Sequence, residues 1–185
     1  SGIDKLHPAF AGNDSQGNPR LVAEHNYVPV SLPNEPAGNT GDDRNGHGTF
    51  IAGPALSSHP TYLGMAPDAR YVNSRVLDYN ASYSGDAIIR SGIGFAINQG
   101  ADVVNLALNF NATNNPIPNG SSPLDLMIDW AAREMGVSCV ICAGNISQAT
   151  DGSTQVRAPA SAYNGITVGH TVVDTTRVHT NAATA

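Results

Sequence analysis

The chain has 185 residues, with 9 Lys and Arg against 15 Asp and Glu, so its formal net charge is −6. Because 41% of the residues are hydrophobic and only 13% are charged, the composition excludes a disordered chain and predicts a single folded domain, residues 1–185. No apolar run approaches the roughly 20 residues that a membrane span needs, and the acidic balance argues against nucleic acid or an anionic membrane as a partner.

The first seventy residues show little regular patterning. Arg20–Val28 is compatible with a strand, and Ser31–Asn45 forms a polar loop rich in Gly and Pro. The loop leads to the sequence GHGTFIAG, where His47 stands between two glycines at a predicted helix start; glycines there let other backbone approach closely. A lone histidine is more often structural than catalytic, so its role depends on what the fold brings near it.

From residue 71 onward, β-branched runs alternate with helical periods. Tyr71–Val76 is a predicted strand, and Ser84 is a predicted cap for a helix that ends at Gly100. The apolar positions of that helix follow the i, i+4, i+7, i+8 pattern at Ile89, Ile93, Ala96 and Ile97.

The second half of the chain continues the same alternation. The strand Asp102–Leu108 precedes a helix with Ser122 as N-cap, a capping box to Asp125 and a stop at Gly136. Strands over Val137–Ala143 and near Ile166–Val168 follow. The predicted buried stripe of the helix is Met127, Ile128, Ala131 and Met135. Successive β-α-β crossovers predict an α/β fold with a doubly wound, mostly parallel sheet and helices on both faces.

Two further segments are candidates for a ligand site, because open α/β sheets bind ligands at the carboxyl ends of their strands. Asn145 ends the strand VSCVICAGN, where its amide could donate a hydrogen bond; a simple turn after Gly144 is the alternative. The backbone of Ala107–Asn109 could pair with an extended ligand.

Three other motifs do not support a site. Gly92 and Gly94 begin a dinucleotide-type pattern, but they lie inside a predicted helix. Cys139 and Cys142 have CxxC spacing, yet residues three apart in a strand point to opposite faces, so we expect two buried hydrophobic side chains rather than a redox pair. The six histidines include no i, i+4 pair that would favour a zinc site.

Taken in order, six motifs resemble the subtilisin-like serine peptidases: SGIDKLHPAF, NGHGTFIAG, LGMAPDARYVNSRVL, GADVVNLAL, VICAGN and APASAYNGITVG. The resemblance covers nearly the whole chain. It implies a three-layer α/β sandwich and a Ser-His-Asp triad, with His47 as the general base and Asn145 as the oxyanion asparagine. It also implies that Ala107, Leu108 and Asn109 bind substrate backbone, and that Ala143 and Gly144 form a wall of the specificity pocket.

The resemblance also locates departures from the family pattern. The family's catalytic aspartate immediately precedes the segment that starts at Ser1, and its serine lies in a G-T-S-x-A-x-P segment beyond Ala185, so we expect this chain to be inactive by itself. Neither Asp4 nor Asp42 nor Asp43 matches the catalytic aspartate. Three smaller points are expected: Asn109 in place of glycine narrows the substrate cleft, Pro54 shortens or kinks the helix after His47, and the Ala158–Pro159 bond is cis.

The favoured hypothesis is therefore the central part of a serine endopeptidase that acts on polypeptides or binds a peptide-like inhibitor. A non-catalytic, peptide-binding or structural subtilase-like module is the alternative, and a small-molecule α/β enzyme of another family is a third hypothesis. No cofactor is required for the chemistry; structural calcium is common in the family, but no segment here has a ligand spacing that places one. Sequons at Asn13, Asn80, Asn111 and Asn119 are compatible with a secreted or extracellular protein.

Overall fold

The structure is a computed structural model that describes residues 1–32, 34–35, 38–82, 85–109, 119–144 and 156–169, together with the backbone of 171–173 and 178–180. The chain groups into two compact units, Ser1–Ala101 and Asp102–Ala185, and each is described by itself. None of the helices in the described ranges is long and apolar enough to cross a membrane.

The first unit contains a pair of parallel strands and two helices. Its elements are β1 (Leu21–Asn26), α1 (His47–Leu56), β2 (Ser58–His59), β3 (Tyr62–Leu63), β4 (Tyr71–Arg75) and α2 (Asp86–Asn98). Strands β1 and β4 pair in parallel, from Leu21 opposite Tyr71 to Asn26 opposite Arg75. The β2–β3 hairpin was not predicted, since two-residue strands leave no periodic signal.

Helix α2 packs against β4 through Gly92. A Cβ at Gly92 would lie 2.5 Å from Cγ1 of Val76 and 2.8 Å from Oγ of Ser74, so only glycine permits this approach. Gly92 and Gly94 both lie inside α2, as predicted, and Gly92 is the residue that permits the close contact with the β4 segment. The residue before the helix is Gly85, which caps it without a side-chain bond, and the predicted cap, Ser84, lies outside the described residues.

The second unit contains a parallel three-stranded sheet and one helix. Its elements are β5 (Val103–Leu106), α3 (Pro123–Glu134), β6 (Ser138–Cys142), β7 (Ile166–Val168), β8 (Thr171–Val173) and β9 (Val178–Thr180). The order β5–β6–β7 is parallel throughout, whereas β8 and β9 form an antiparallel hairpin that was not predicted. The Ala158–Pro159 bond is cis, as the resemblance implied.

Helix α3 begins as predicted, but its buried stripe differs. Ser122 Oγ accepts from the backbone N of Asp125 at 3.1 Å, and the Asp125 carboxylate accepts from the Ser122 backbone N at 3.2 Å, which completes the capping box. The buried apolar positions are Leu124, Ile128 and Ala131. The prediction that Met135 is buried was wrong, because the helix ends at Glu134 and Met135 is 46% exposed at the C-cap.

Candidate active site

His47 is the first residue of α1, and its side chain is exposed. The N-cap position is Gly46, whose φ of 95° places it in the left-handed region that favours glycine. Gly46 has no side chain to cap the helix, so the free N–H groups of the first turn need other partners. The chain that precedes His47 therefore turns sharply and presents the imidazole at the open end of a helix.

Three side chains from outside α1 accept those N–H groups. The backbone N of His47 donates to Asn45 Oδ1 at 3.3 Å, and that of Gly48 donates to Ser1 Oγ at 2.8 Å. The backbone N of Thr49 donates to Asp43 Oδ2 at 2.9 Å. The turn that carries His47 is thus held by the loop before it and by the Ser1 segment.

Backbone approaches the helix closely at Gly48. A Cβ at Gly48 would lie 2.0 Å from the carbonyl O of Gly2, which is well inside contact distance. Gly2 in turn has a φ of +94°, and a Cβ there would lie 2.0 Å from the carbonyl O of Gly41. Of the two glycines that flank His47, Gly48 is therefore the one that another backbone segment approaches, whereas no described atom lies within 4 Å of a Cβ at Gly46.

The helix after His47 is only ten residues long. Pro54 lies inside it, and the helix ends two residues later at Leu56. Proline has no N–H to continue the backbone ladder, so this short helix agrees with the expectation drawn from Pro54.

In the second unit, the five predicted substrate-binding residues lie at one edge of the parallel sheet. Ala107–Asn109 follows β5, and Ala143 and Gly144 follow β6; the two strands pair with Leu106 opposite Ile141. The backbone N of Ala143 donates to the carbonyl O of Val168 at 2.9 Å, which joins this edge to β7.

The side chain of Asn109 lies against Gly144. A Cβ at Gly144 would lie 2.0 Å from Nδ2 of Asn109, and Gly144 has a φ of +105°. The amide therefore occupies the space beside Gly144 that a glycine at position 109 would leave open. Asn145, the predicted oxyanion donor, lies outside the described residues, as does the loop over 110–118.

Both cysteines of the chain lie in strand β6. Cys139 is buried in β6, Cys142 is half-buried, and both are free thiols. Burial raises the pKa of both thiols, and the Gly144 backbone N–H bonded to Cys142 opposes this only in part. Neutral thiols are poor nucleophiles and poor metal ligands. Within the described ranges, no group of three or more His, Cys, Asp or Glu could hold a metal ion.

Asp43, Thr49 and Ser1 surround the start of α1 but were not predicted as parts of the site. An acidic residue close before a helix start, followed by a threonine in the first turn, is a signal for helix capping that could have indicated the first two. Ser1 depends on a contact 47 residues away in sequence, for which no local pattern exists.

The family model described as "Subtilase family" matches residues 1–182. The chain belongs to the subtilase family. The α/β fold predicted from the sequence is the fold of this family's proteases.

Individual proteases of this family are also similar to the chain in sequence. The chain is 34% identical over 172 residues to the minor extracellular protease Vpr of Bacillus subtilis, covering 92% of this chain and 20% of that protein. It is 36% identical over 146 residues to the subtilisin-like serine protease Rho m 2.0101 of Rhodotorula mucilaginosa, covering 78% of this chain and 40% of that protein. The chain therefore spans less than half the length of these relatives.

Among solved structures, the S41 psychrophilic protease superposes on this subtilase chain with a TM-score of 0.62 at 25% identity. The match covers 90% of this chain and 49% of that one. A protease named PagA, a prenylagaramide maturation protease, gives a TM-score of 0.60 at 23% identity and supports the fold alone.

Proposed function

We propose that this chain is the part of a serine endopeptidase that carries the general base, His47, and the oxyanion donor, Asn145. The main support for this proposal is the contact between the Ser1 segment and the first turn of α1, where Gly48 N donates to Ser1 Oγ. The family pattern has an aspartate immediately before Ser1. A residue at that position would be bonded to Ser1, and Ser1 contacts Gly48, the residue that follows His47.

The proposed chemistry needs only side chains and backbone, so it uses no cofactor. The serine expected in the downstream G-T-S segment attacks the peptide carbonyl while His47 takes its proton. The aspartate before Ser1 holds the imidazole in the correct tautomer and stabilises its charged form. His47 then returns the proton to the leaving amine as the C–N bond breaks, and water hydrolyses the acyl-enzyme.

Asn145 and the edge of the second sheet have distinct roles in this mechanism. The Asn145 amide donates to the oxyanion of the tetrahedral intermediate; removal of such a donor costs about 10²–10³ in kcat, a figure measured on a subtilisin asparagine. Backbone groups of Ala107–Asn109 pair with an extended polypeptide substrate or a peptide-like inhibitor. Ala143 and Gly144 line the pocket for one substrate side chain, and Asn109 narrows the substrate cleft.

We also propose that the protein is extracellular. The sequon asparagines Asn13, Asn80 and Asn119 are exposed, so a glycan at each would project into solvent; Asn111 lies outside the described residues. The relative Vpr is itself described as an extracellular protease.

The test uses the full-length protein, purified from the culture medium of its host. We expect a fluorophosphonate probe to label one serine, located by mass spectrometry in the segment after Ala185. His47→Ala abolishes labelling and peptide hydrolysis, whereas Asn145→Ala lowers kcat by about 10²–10³ with little change in KM. The matched control is His59→Ala, a half-buried histidine of β2 stacked on Tyr62, which retains activity.

Two outcomes would contradict the proposal. A wild-type protein that binds extended peptides but neither cleaves them nor reacts with the probe would be the non-catalytic module instead. A protein found only in the cell pellet would contradict the extracellular location.

A further inference from the structure

The carboxylate of Asp43 is the centre of a hydrogen-bond network at the start of α1. Its Oδ1 accepts from the backbone N of Asn45 at 3.0 Å and of Gly46 at 2.9 Å. Its Oδ2 accepts from Thr49 twice, from the backbone N at 2.9 Å and from Oγ1 at 2.5 Å. One side chain therefore holds both the loop before His47 and the turn after it.

The charge state of Asp43 agrees with this arrangement. Burial raises the pKa of its carboxyl, but the bonds from Thr49 Oγ1 and from the backbone N–H groups of Thr49, Asn45 and Gly46 lower it by more, to about 2. The side chain is thus an anion at neutral pH, next to the positive end of a helix dipole.

The Thr49 hydroxyl extends the network to the Ser1 segment. Oγ1 accepts from the backbone N of Asp4 at 2.9 Å while it donates to Asp43. The direction of these bonds is unambiguous, because a backbone N–H can only donate and a carboxylate can only accept. Asp4, Thr49 and Asp43 therefore form a single chain of hydrogen bonds between two segments that are distant in sequence.

A second contact ties the same two segments together. Gly48 N donates to Ser1 Oγ, and the carbonyl O of Gly2 fills the space where a Cβ at Gly48 would lie. The Ser1–Asp4 segment is therefore fixed against the first turn of α1 at Gly48 and at Thr49, on the two residues that follow His47.

We propose that Asp43, acting through Thr49, is a positioning residue for the triad: it sets the distance between the His47 imidazole and the aspartate that precedes Ser1. The proposal rests on the proposed function. His47 is the first helical residue, so a shift of the first turn moves the imidazole directly. A displacement of about 1 Å is enough to lower catalysis about 10²-fold.

The test measures the full-length protein and its Asp43→Asn variant. The carboxamide keeps the shape but has one acceptor oxygen instead of two, so it cannot hold both the loop and Thr49. We expect kcat and the rate of fluorophosphonate labelling to fall about 10- to 100-fold, with KM within about twofold. Both kcat and the labelling rate are divided by the number of sites that the probe finally labels, so unfolded protein, which does not react, does not lower them.

The matched control is Asp42→Asn, the same change one residue earlier. The Asp42 carboxylate lies 3.4 Å from Nζ of Lys5 and, among the described residues, makes no hydrogen bond or ion pair with α1. We expect this variant to retain the wild-type kcat and labelling rate.

A second pair of variants covers the case in which Asp43→Asn does not fold. Thr49→Val removes the hydroxyl and keeps the shape of the side chain, whereas Thr49→Ser keeps the hydroxyl. We expect Thr49→Val to lower the labelling rate per site and Thr49→Ser to stay near the wild-type rate. A helix cap that only adds stability would change the free energy of unfolding and leave these rates unchanged.

The outcomes separate this inference from the proposed function. If wild type hydrolyses peptides and His47→Ala does not, normal rates in both Asp43→Asn and Thr49→Val would overturn the positioning role alone. If the probe labels no serine in wild type, the proposed function fails and the positioning role fails with it.

Discussion

Single glycines decide how closely two backbones approach beside His47. Gly48 and Gly53 lie in the same helix, but their surroundings differ. A Cβ at Gly48 would lie 2.0 Å from Gly2 O, whereas a Cβ at Gly53 would meet no atom of another described segment within 4 Å. Backbone cannot yield as a flexible side chain can, so a methyl group collides with a neighbouring segment at Gly48 and not at Gly53.

We expect Gly48→Ala to lower the free energy of unfolding by about 1–3 kcal/mol, as overpacking does. Gly53→Ala is the matched control, and we expect it to change the free energy of unfolding by less than about 0.5 kcal/mol, because the following Pro54 disfavours a helical residue that carries a Cβ and so offsets the gain in helix propensity. Urea unfolding in the inactive His47→Ala background measures both without self-digestion. Equal effects of the two substitutions would show that the Gly2–Gly48 contact is not formed.

At the scale of elements, helices α1 and α3 begin in different ways. Helix α3 carries its own cap, since Ser122 and Asp125 bond each other and Asp125 Oδ1 also accepts from Ser161 Oγ at 2.9 Å. Helix α1 has a glycine at its N-cap and depends on side chains from elsewhere. The start of α3 is therefore local in origin, and the start of α1 is tertiary.

The capping box of α3 gives a direct prediction. Ser122→Ala removes the acceptor for the Asp125 backbone N, and we expect it to lower the free energy of unfolding by about 1 kcal/mol. Ser121→Ala is the control, because Ser121 is exposed and bonds only to nearby Asn119 within the described ranges; we expect a change below about 0.5 kcal/mol. Denaturant midpoints with unchanged slopes measure both, and a neutral Ser122→Ala would contradict the capping role.

At the scale of the whole molecule, stability couples to pH through Asp43. Its pKa of about 2 in the folded protein lies below the ordinary value of 3.8, so the unfolded chain binds the proton more readily. The stabilisation is fully present above pH 5 and is lost as pH falls through the range from about 4 to 2.

We therefore expect the destabilisation caused by Asp43→Asn to be largest at pH 5–7 and to shrink as pH falls towards 2. Chemical unfolding of both proteins at pH 7, 5, 4 and 3, again in the His47→Ala background, measures this difference. A difference that stays constant down to pH 3 would show that the Asp43 carboxylate is not held in its charged form by the fold.

Much of the fold was predictable because its signals are local. The strands near Tyr71, Val103, Ser138 and Ile166 show β-branched runs, and α2 and α3 show helical periods with recognisable ends. The cis bond before Pro159 and the subtilase family membership followed from motif order rather than from periodicity. The error at Met135 arose because the apolar spacing continues past the residue at which the helix ends.

The amino-acid sequence by itself determined most of the elements, whose signals are local, and the family, which followed from the order of its motifs; His47 is the candidate base that this resemblance indicates. Only the tertiary structure decided the partners of the buried charges and of the N–H groups at the start of α1. Arg20 is 1% exposed and donates to the carbonyls of Ala9, Leu56 and Ala69, and the Arg75 guanidinium pairs with Glu35 at 2.7 Å with both side chains buried. Asp43, Thr49 and Ser1 around α1 are a further example. A buried charge or N–H group requires a hydrogen-bond partner. These partners lie too far apart in the sequence for a local pattern to specify them, so they meet only when the chain folds.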